Sequence, residues 1–110
     1  MIIAMTDTLF YNVWRTDSPE AKASLLEAMR AEAPRIAAKP GFRSMVVFEG
    51  EDGRILVEGR WASRAAYEAA IATDAASLES RRALEAFGTA EPALFHEAFR
   101  VGSPQEGGST

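Results

Sequence analysis

This chain of 110 residues has no cysteine, which removes disulfides, thiolate metal sites, iron–sulfur clusters and cysteine nucleophiles in one step. Histidine occurs once, as His96, so neither a three-histidine zinc site nor the usual two-histidine non-haem iron site can be assembled within one chain. Lysine is scarce as well. Lys22 and Lys39 are the only two, and the arginines are scattered, with Arg81 and Arg82 the one adjacent pair. At a formal net charge of -4 no nucleic-acid partner is expected, because phosphate binding needs clustered positive charge. No apolar run approaches a membrane span, and the apolar start Met1–Met5 lacks the basic flank of a signal peptide, so a cytoplasmic protein without membrane association is expected. A dinucleotide fingerprint and a phosphate-binding loop are also missing.

What remains is ordinary globular material: 47% hydrophobic and 25% charged residues. The length suits one domain, expected over residues 6–101, burying roughly 65% of the surface of its unfolded chain. Residues 102–110, GSPQEGGST, lack apolar groups and read as a flexible tail.

Residues 8–15, TLFYNVWR, are rich in aromatic and β-branched side chains and predict a strand. Ser18-Pro19-Glu20 then supplies an N-cap, a proline at the first helical position and an early acid. Leu25, Leu26, Met29, Ala33, Ile36 and Ala37 make one apolar helix face, while Glu27, Arg30 and Glu32 read as its solvated side. Pro34 removes a backbone donor and predicts a kink or break. Pro40-Gly41 ends the helix. FRSMVVFE and RILVEGRW then flank Gly50-Glu51-Asp52-Gly53 as a hairpin. Helical segments are expected over about 63–73 and 75–87, and a last strand over 93–101.

The order βαββααβ predicts an α+β, ferredoxin-like fold, a four-stranded antiparallel sheet with helices on one face. The strands look apolar on both sides. Leu9, Tyr11 and Val13 alternate with Phe10, Asn12 and Trp14, and Phe42, Val46 and Phe48 alternate with Met45 and Val47. Helices cover only one face, so the other is expected to meet a second copy, giving a homodimer.

Candidate site residues centre on Trp61, Tyr67 and Arg81. Trp61 shares a strand face with Ile55, Val57 and Gly59, and Gly59 leaves room above the sheet for a planar molecule. Tyr67 lies one turn before Ala70 and Ile71 on the apolar side of a helix, where a buried hydroxyl needs a partner. Arg81 falls between Leu78 and Leu84, and an arginine drawn inward there has to be paired or bind an anion; Glu85, four residues on, is the alternative partner. Asn12 is an amide inside an apolar strand and demands hydrogen bonds. His96 alternates with Leu94 and Ala98 and titrates near neutrality, which suits a general base. Trp14 reads as core or interface, and Met29 and Met45 as core filling.

Pro40-Gly41-Phe42, the acidic turn Glu51-Asp52-Gly53, and Trp61-Ala62-Ser63 leading into Ala66-Tyr67 together resemble the antibiotic-biosynthesis monooxygenase family of dimeric α/β barrels, from about Thr8 to Val101. Within it the chain is similar to small aromatic-polyketide oxygenases that oxidise anthrones to quinones without flavin, haem or metal. Those have a strand Trp, a helix Tyr and a later Arg at the positions of Trp61, Tyr67 and Arg81. They also have an Asn four residues before the strand Trp, where this chain has Val57. The haem-degrading branch uses a first-strand Asn, matched by Asn12, with a helix Trp and His at positions that here carry Ala70 and Ser80, neither suited to haem.

The resemblance implies a homodimeric monooxygenase with no cofactor, acting on a small electron-rich aromatic or polyketide-like substrate with dioxygen. Trp61, Tyr67 and Arg81 are its catalytic candidates, and Asn12, Val57, Gly59 and His96 its substrate-binding ones. Two alternatives stand beside it: an isomerase or cyclase that stabilises an enolate without oxygen, and a non-catalytic dimer that binds a small ligand.

Overall fold

The computed structural model describes residues 7–102. Its elements run β1 (Thr8–Arg15), α1 (Pro19–Ala37), β2 (Phe42–Glu49), β3 (Arg54–Trp61), α2 (Arg64–Tyr67), a π-helical turn (Glu68–Ala72), α3 (Ala75–Leu84) and β4 (Thr89–Phe95). The four strands form one antiparallel sheet in the order β2-β3-β1-β4, so the fold is the expected α+β, ferredoxin-like one. No described helix is long and apolar enough to cross a membrane. Residues 103–110 of the expected tail lie outside the described residues.

Each helix starts where a side-chain oxygen satisfies an otherwise unpaired amide. Ser18 accepts from the Ala21 amide, Ser63 from that of Ala66, and Asp74 from that of Ser77. The expected break at Pro34 does not occur, and α1 continues through it to Ala37. Proline removes only one donor, and a helix anchored by buried Leu25 and Met29 tolerates it near its end. α3 closes at Leu84, with Glu85–Phe87 as a turn rather than helix.

Two corrections concern register. β4 runs Thr89–Phe95, earlier than the expected 93–101, and pairs with β1 from Arg15 opposite Thr89 to Leu9 opposite Phe95. Pro92 is admitted because β4 is an edge strand, where the missing N–H costs no ladder bond on its open side. Gly88 permits the entry, since a Cβ there would stand 2.4 Å from the Arg15 carbonyl oxygen. In β2 the register shifts between Phe42 and Ser44, so Phe42 faces Trp61 while Ser44 faces Arg60. This bulge turns Phe42 to the opposite side from Val46 and Phe48, with which strict alternation had grouped it.

The sheet therefore has two distinct faces. The helix-covered face carries Phe10, Asn12, Trp14, Met45, Val47, Ile55, Val57, Gly59 and Trp61. One cluster there joins Trp14, Leu25, Met29, Ile55 and Val57, and a second joins Trp61, Tyr67 and Ala70. The open face carries Leu9, Tyr11, Val13, Leu56 and Glu58, with Val46, Phe48 and Phe95 left 40–51% exposed.

Candidate active site

Between the sheet and the helices lies a cavity of about 120 Å³. Its floor is apolar: Trp14, Met45, Val47, Val57 and Gly59 from the strands, with Met29 and Ile36 from α1. The polar groups sit on the helix side, Glu32 and Arg35 on α1 and Ser77, Ser80 and Arg81 on α3, with Asn12 the polar residue of the sheet floor. An engineered apolar cavity of roughly 150 Å³ holds benzene, so this one has room for about one aromatic ring.

Trp61 is 2% exposed and forms the end wall, with Phe42 edge-on at a centroid distance of 5.4 Å. Gly59 gives it room: a Cβ at that position would lie 3.4 Å from the indole Nε1. Tyr67 lies behind this wall. Its ring stacks on Phe10 at 5.1 Å and meets Trp61 edge-on at 6.5 Å, and it is not itself a lining residue. Burial pushes the Tyr67 phenol above its ordinary pKa, partly offset by the positive charge of Arg81 and adjusted by Glu68 and Arg64. At neutral pH it is a protonated donor, not a base.

Two polar atoms of the site have no hydrogen-bond partner among the described residues. Asn12 is 5% exposed, and its Oδ1 is buried and unsatisfied; the Nε of Arg81 is likewise buried without an acceptor. Glu85 reaches Arg81 Nε only to 3.7 Å, an ion pair but too long for a hydrogen bond. Leaving a buried polar group unpaired costs about 1–3 kcal/mol, and natural proteins leave few such groups.

The remaining candidates separate. Val57, 9% exposed, belongs to the core with Trp14 and Leu25 and also lines the floor. His96 stands exposed just beyond β4 and does not line the cavity, since the strand ends one residue before it. Trp14 is core and cavity floor on the helix-covered face, and so not part of the open one. Glu32, expected on the solvated side of α1, is half-buried and paired with Arg35 at 2.6 Å. Sequence reasoning passed over Arg35 on α1 and Ser77 and Ser80 on α3; the two serines had only a run of polar residues within α3 as a local signal. A larger open hollow of about 400 Å³ lies beside Thr16, Ser18, Lys22 and Glu49, but its lysine is already engaged by Glu49 at 3.3 Å and the Gly50 carbonyl at 3.3 Å.

A sequence model described as "Antibiotic biosynthesis monooxygenase" matches residues 10–90, from within β1 to the first two residues of β4, and takes in every lining residue of the cavity. The chain belongs to the antibiotic biosynthesis monooxygenase family. Among solved structures the chain is similar to SnoaB, a cofactor-independent oxygenase from Streptomyces nogalater, with a TM-score of 0.76 and 22% identity over 87% of this chain and 96% of that one. It is also similar to a monooxygenase from the gene ActVA-Orf6 of Streptomyces coelicolor, solved with the ligand nanaomycin D, with a TM-score of 0.78 and 21% identity over 91% and 95% of the two chains. At such identities these likenesses speak to the fold. No curated protein matches the chain significantly. Family membership supports a monooxygenase-type activity; the substrate and the reaction have to be argued from the site.

Proposed function

We propose that this family member is a cofactor-independent monooxygenase that oxidises a small electron-rich aromatic or polyketide-like substrate with dioxygen. The observation that carries this reading is an apolar, aromatic-walled cavity holding two unsatisfied buried polar atoms, Asn12 Oδ1 and Arg81 Nε. Such a cavity excludes water from a planar substrate and sets an amide and a guanidinium beside it, whose buried unpaired atoms a small side-chain adjustment would bring to the ligand.

An activated methylene that loses a proton becomes an enolate, which is electron-rich enough to reduce dioxygen itself. Carbon–oxygen bond formation gives a hydroperoxide, and loss of water from it leaves a carbonyl. The CH2 group and one O2 thus become C=O and H2O, with all four electrons supplied by the substrate. The enolate is the species that needs stabilising, and Arg81 is the cation placed to do so. Trp61 packs on the ring, and Tyr67, held protonated by burial behind Trp61, supports that wall rather than meeting the substrate directly. Loss of one preorganised donor to a developing oxyanion costs on the order of 10²–10³ in rate, so Arg81→Leu is expected to lower turnover at least about tenfold in a folded protein.

A homodimer joined through the open sheet face belongs to the same proposal. It would cover Val46, Phe48 and Phe95, which no described element covers.

One observation favours a second reading. Val57 places a hydrocarbon on the cavity floor where similar oxygenases have an amide, so the floor offers dioxygen-derived groups no hydrogen bond at that point. An isomerase or cyclase needs only enolate stabilisation. Oxygen uptake by metal-stripped protein with a hydroxylated anthrone and no added cofactor, against an autoxidation control, tests the choice. Enzyme-dependent uptake that Tyr67→Phe and Arg81→Leu diminish supports the oxygenase. Uptake no greater than the control, or equal turnover of a carbonyl substrate under anaerobiosis, sinks it.

A further inference from the structure

The start of α3 is held by a polar network centred on one residue of α1. Arg35 Nε donates to Glu32 Oε1 at 2.8 Å, its Nη1 to Asp74 Oδ2 at 3.4 Å, and its Nη2 to Ser77 Oγ at 3.2 Å. Asp74 is also the N-cap of α3, accepting from the Ser77 amide at 3.0 Å, and it accepts from Lys39 Nζ at 3.1 Å. Ser77, 6% exposed, passes the connection on: its hydroxyl donates to the Ala70 carbonyl in the π-helical turn at 2.7 Å. One guanidinium thus ties together α1, the start of α3 and, through Ser77, the π-helical turn.

Arg81 follows Ser77 by four residues, one helical turn later on the same side of α3. The far end of α3 is fixed by Leu84, which packs against the core cluster of Trp14 and Leu25, and Glu85 pairs with Arg81 at 3.7 Å, while Leu78 between Ser77 and Arg81 is 42% exposed. The direction in which Arg81 points therefore depends on how both ends of α3 are held, and Arg35 holds the first.

We propose that Arg35 is a positioning residue of this site, which anchors the first turn of α3 to α1 and thereby aims Arg81 at the cavity. Arg35 lines the cavity, but its Nε, Nη1 and Nη2 are each engaged already, by Glu32, Asp74 and Ser77, so its part is to position rather than to react. A lysine cannot replace it fully, because a single ammonium cannot span the three acceptors in the plane that the guanidinium fork provides. The inference rests on reading Arg81 as the group that faces the ligand, but not on the reaction being an oxygenation.

The test uses a reporter already in the chain. Tyr11 and Tyr67 are the only tyrosines, so in a Tyr11→Phe background the near-ultraviolet titration of tyrosinate reads Tyr67 alone. The charged groups acting on it are Arg81, Glu68 and Arg64, and Arg81 is the largest of the three. Arg81→Leu is expected to move the Tyr67 titration to higher pH and sets the scale. Arg35→Met is expected to move it in the same direction by at least half as much, with Arg35→Lys between the two. Amide hydrogen exchange near neutral pH gives a second reading, with Arg35→Met expected to speed exchange on the order of tenfold in α3 and leave the central strands unchanged. Failure of Arg81→Leu or Arg35→Met to move Tyr67, or exchange that rises equally in every element, overturns the assignment. Neither readout involves substrate or oxygen, so absence of oxygen uptake by the unaltered protein defeats the oxygenase reading and leaves this one standing.

Discussion

The two faces of the sheet are built from the same four strands, residue by alternate residue, yet they differ in how their polar groups are treated. On the open face the hydroxyl of Tyr11 donates to Glu58 Oε2 at 2.5 Å, a bond that pushes the Tyr11 phenol above its ordinary pKa and leaves both side chains satisfied. Its unmet groups are hydrocarbon: Phe48 is 47% exposed and Phe95 51%. On the covered face the hydrocarbon is buried and a polar atom, Asn12 Oδ1, is unmet. Exposed apolar area with satisfied polar groups suits another protein surface, which supplies area but few new hydrogen bonds. A buried unsatisfied amide in a hollow suits a small molecule with a complementary atom. The physical chemistry of what is left over tells the two surfaces apart.

The sharpest way to break that contrast is to remove the wall of the covered face. Trp61→Ala is expected to cost about 3–5 kcal/mol of folding stability, as for other large-to-small core changes, and to lower the midpoint of urea unfolding accordingly. A loss under about 1 kcal/mol would mean that Trp61 is not the packed wall described here.

Next in size is the open face. Phe48→Lys withdraws a side chain whose full burial contributes roughly 1.5–3 kcal/mol, so each copy weakens a dimer by about tenfold or more. Sedimentation equilibrium should show a concentration-dependent dimer for the unaltered chain and a folded monomer for the variant. A chain that stays monomeric at every concentration removes the assignment of this face.

Asn12 discriminates in sign. If its Oδ1 is left unpaired for a ligand, Asn12→Leu should raise the stability of the free protein by about 1 kcal/mol while weakening ligand binding. Binding can be followed by quenching of Trp14 and Trp61, the only tryptophans, both of which line the cavity. Lower stability in the variant would instead make Asn12 a structural residue whose partner is water.

The smallest effect concerns Asp74, whose carboxyl is held down to about 2, chiefly by the hydrogen bond from Lys39 and then by the Ser77 amide. A depressed folded-state pKa contributes stability that is present above the unfolded value and lost as pH falls through the folded one. Asp74→Asn keeps a capping oxygen but not the charge. The difference in thermal midpoint between the two proteins should therefore be constant above the ordinary carboxylate range and vanish as pH falls toward about 2. A difference that persists in acid would assign the effect to packing.

Much of this architecture was legible beforehand. The alternation in RILVEGRW placed Ile55, Val57, Gly59 and Trp61 on one face, where they are. Ser18 marked the start of α1, and the later helical segments were expected from about 63 and 75, within a residue of where α2 and α3 begin. The errors came from features that local pattern cannot weigh. The last strand was expected only after Pro92, over 93–101, but proline is tolerated on an edge strand, and whether a strand is at the edge is decided by topology. The bulge at Arg43 reversed the side on which Phe42 falls, and a bulge is decided by what the partner strand offers. His96 lost its place in the site with the shift of β4. Arg35 was invisible for a related reason: Asp74 and Ser77 lie 39 and 42 residues away, and no periodicity links them to it.

From its sequence alone the chain determined its element types, the closed routes to thiolate and multi-histidine chemistry within one chain, and the likeness that led to its family. Those follow from composition and from periods of two and 3.6 residues, which depend on neighbours along the chain. Tertiary structure alone decided that Trp14 floors the cavity, that Tyr67 stands behind Trp61, that Asn12 and Arg81 are left unsatisfied, and that Arg35 holds α3. These are questions of which distant groups share a small volume, and only the folded packing of helices on the sheet brings those groups within hydrogen-bonding reach.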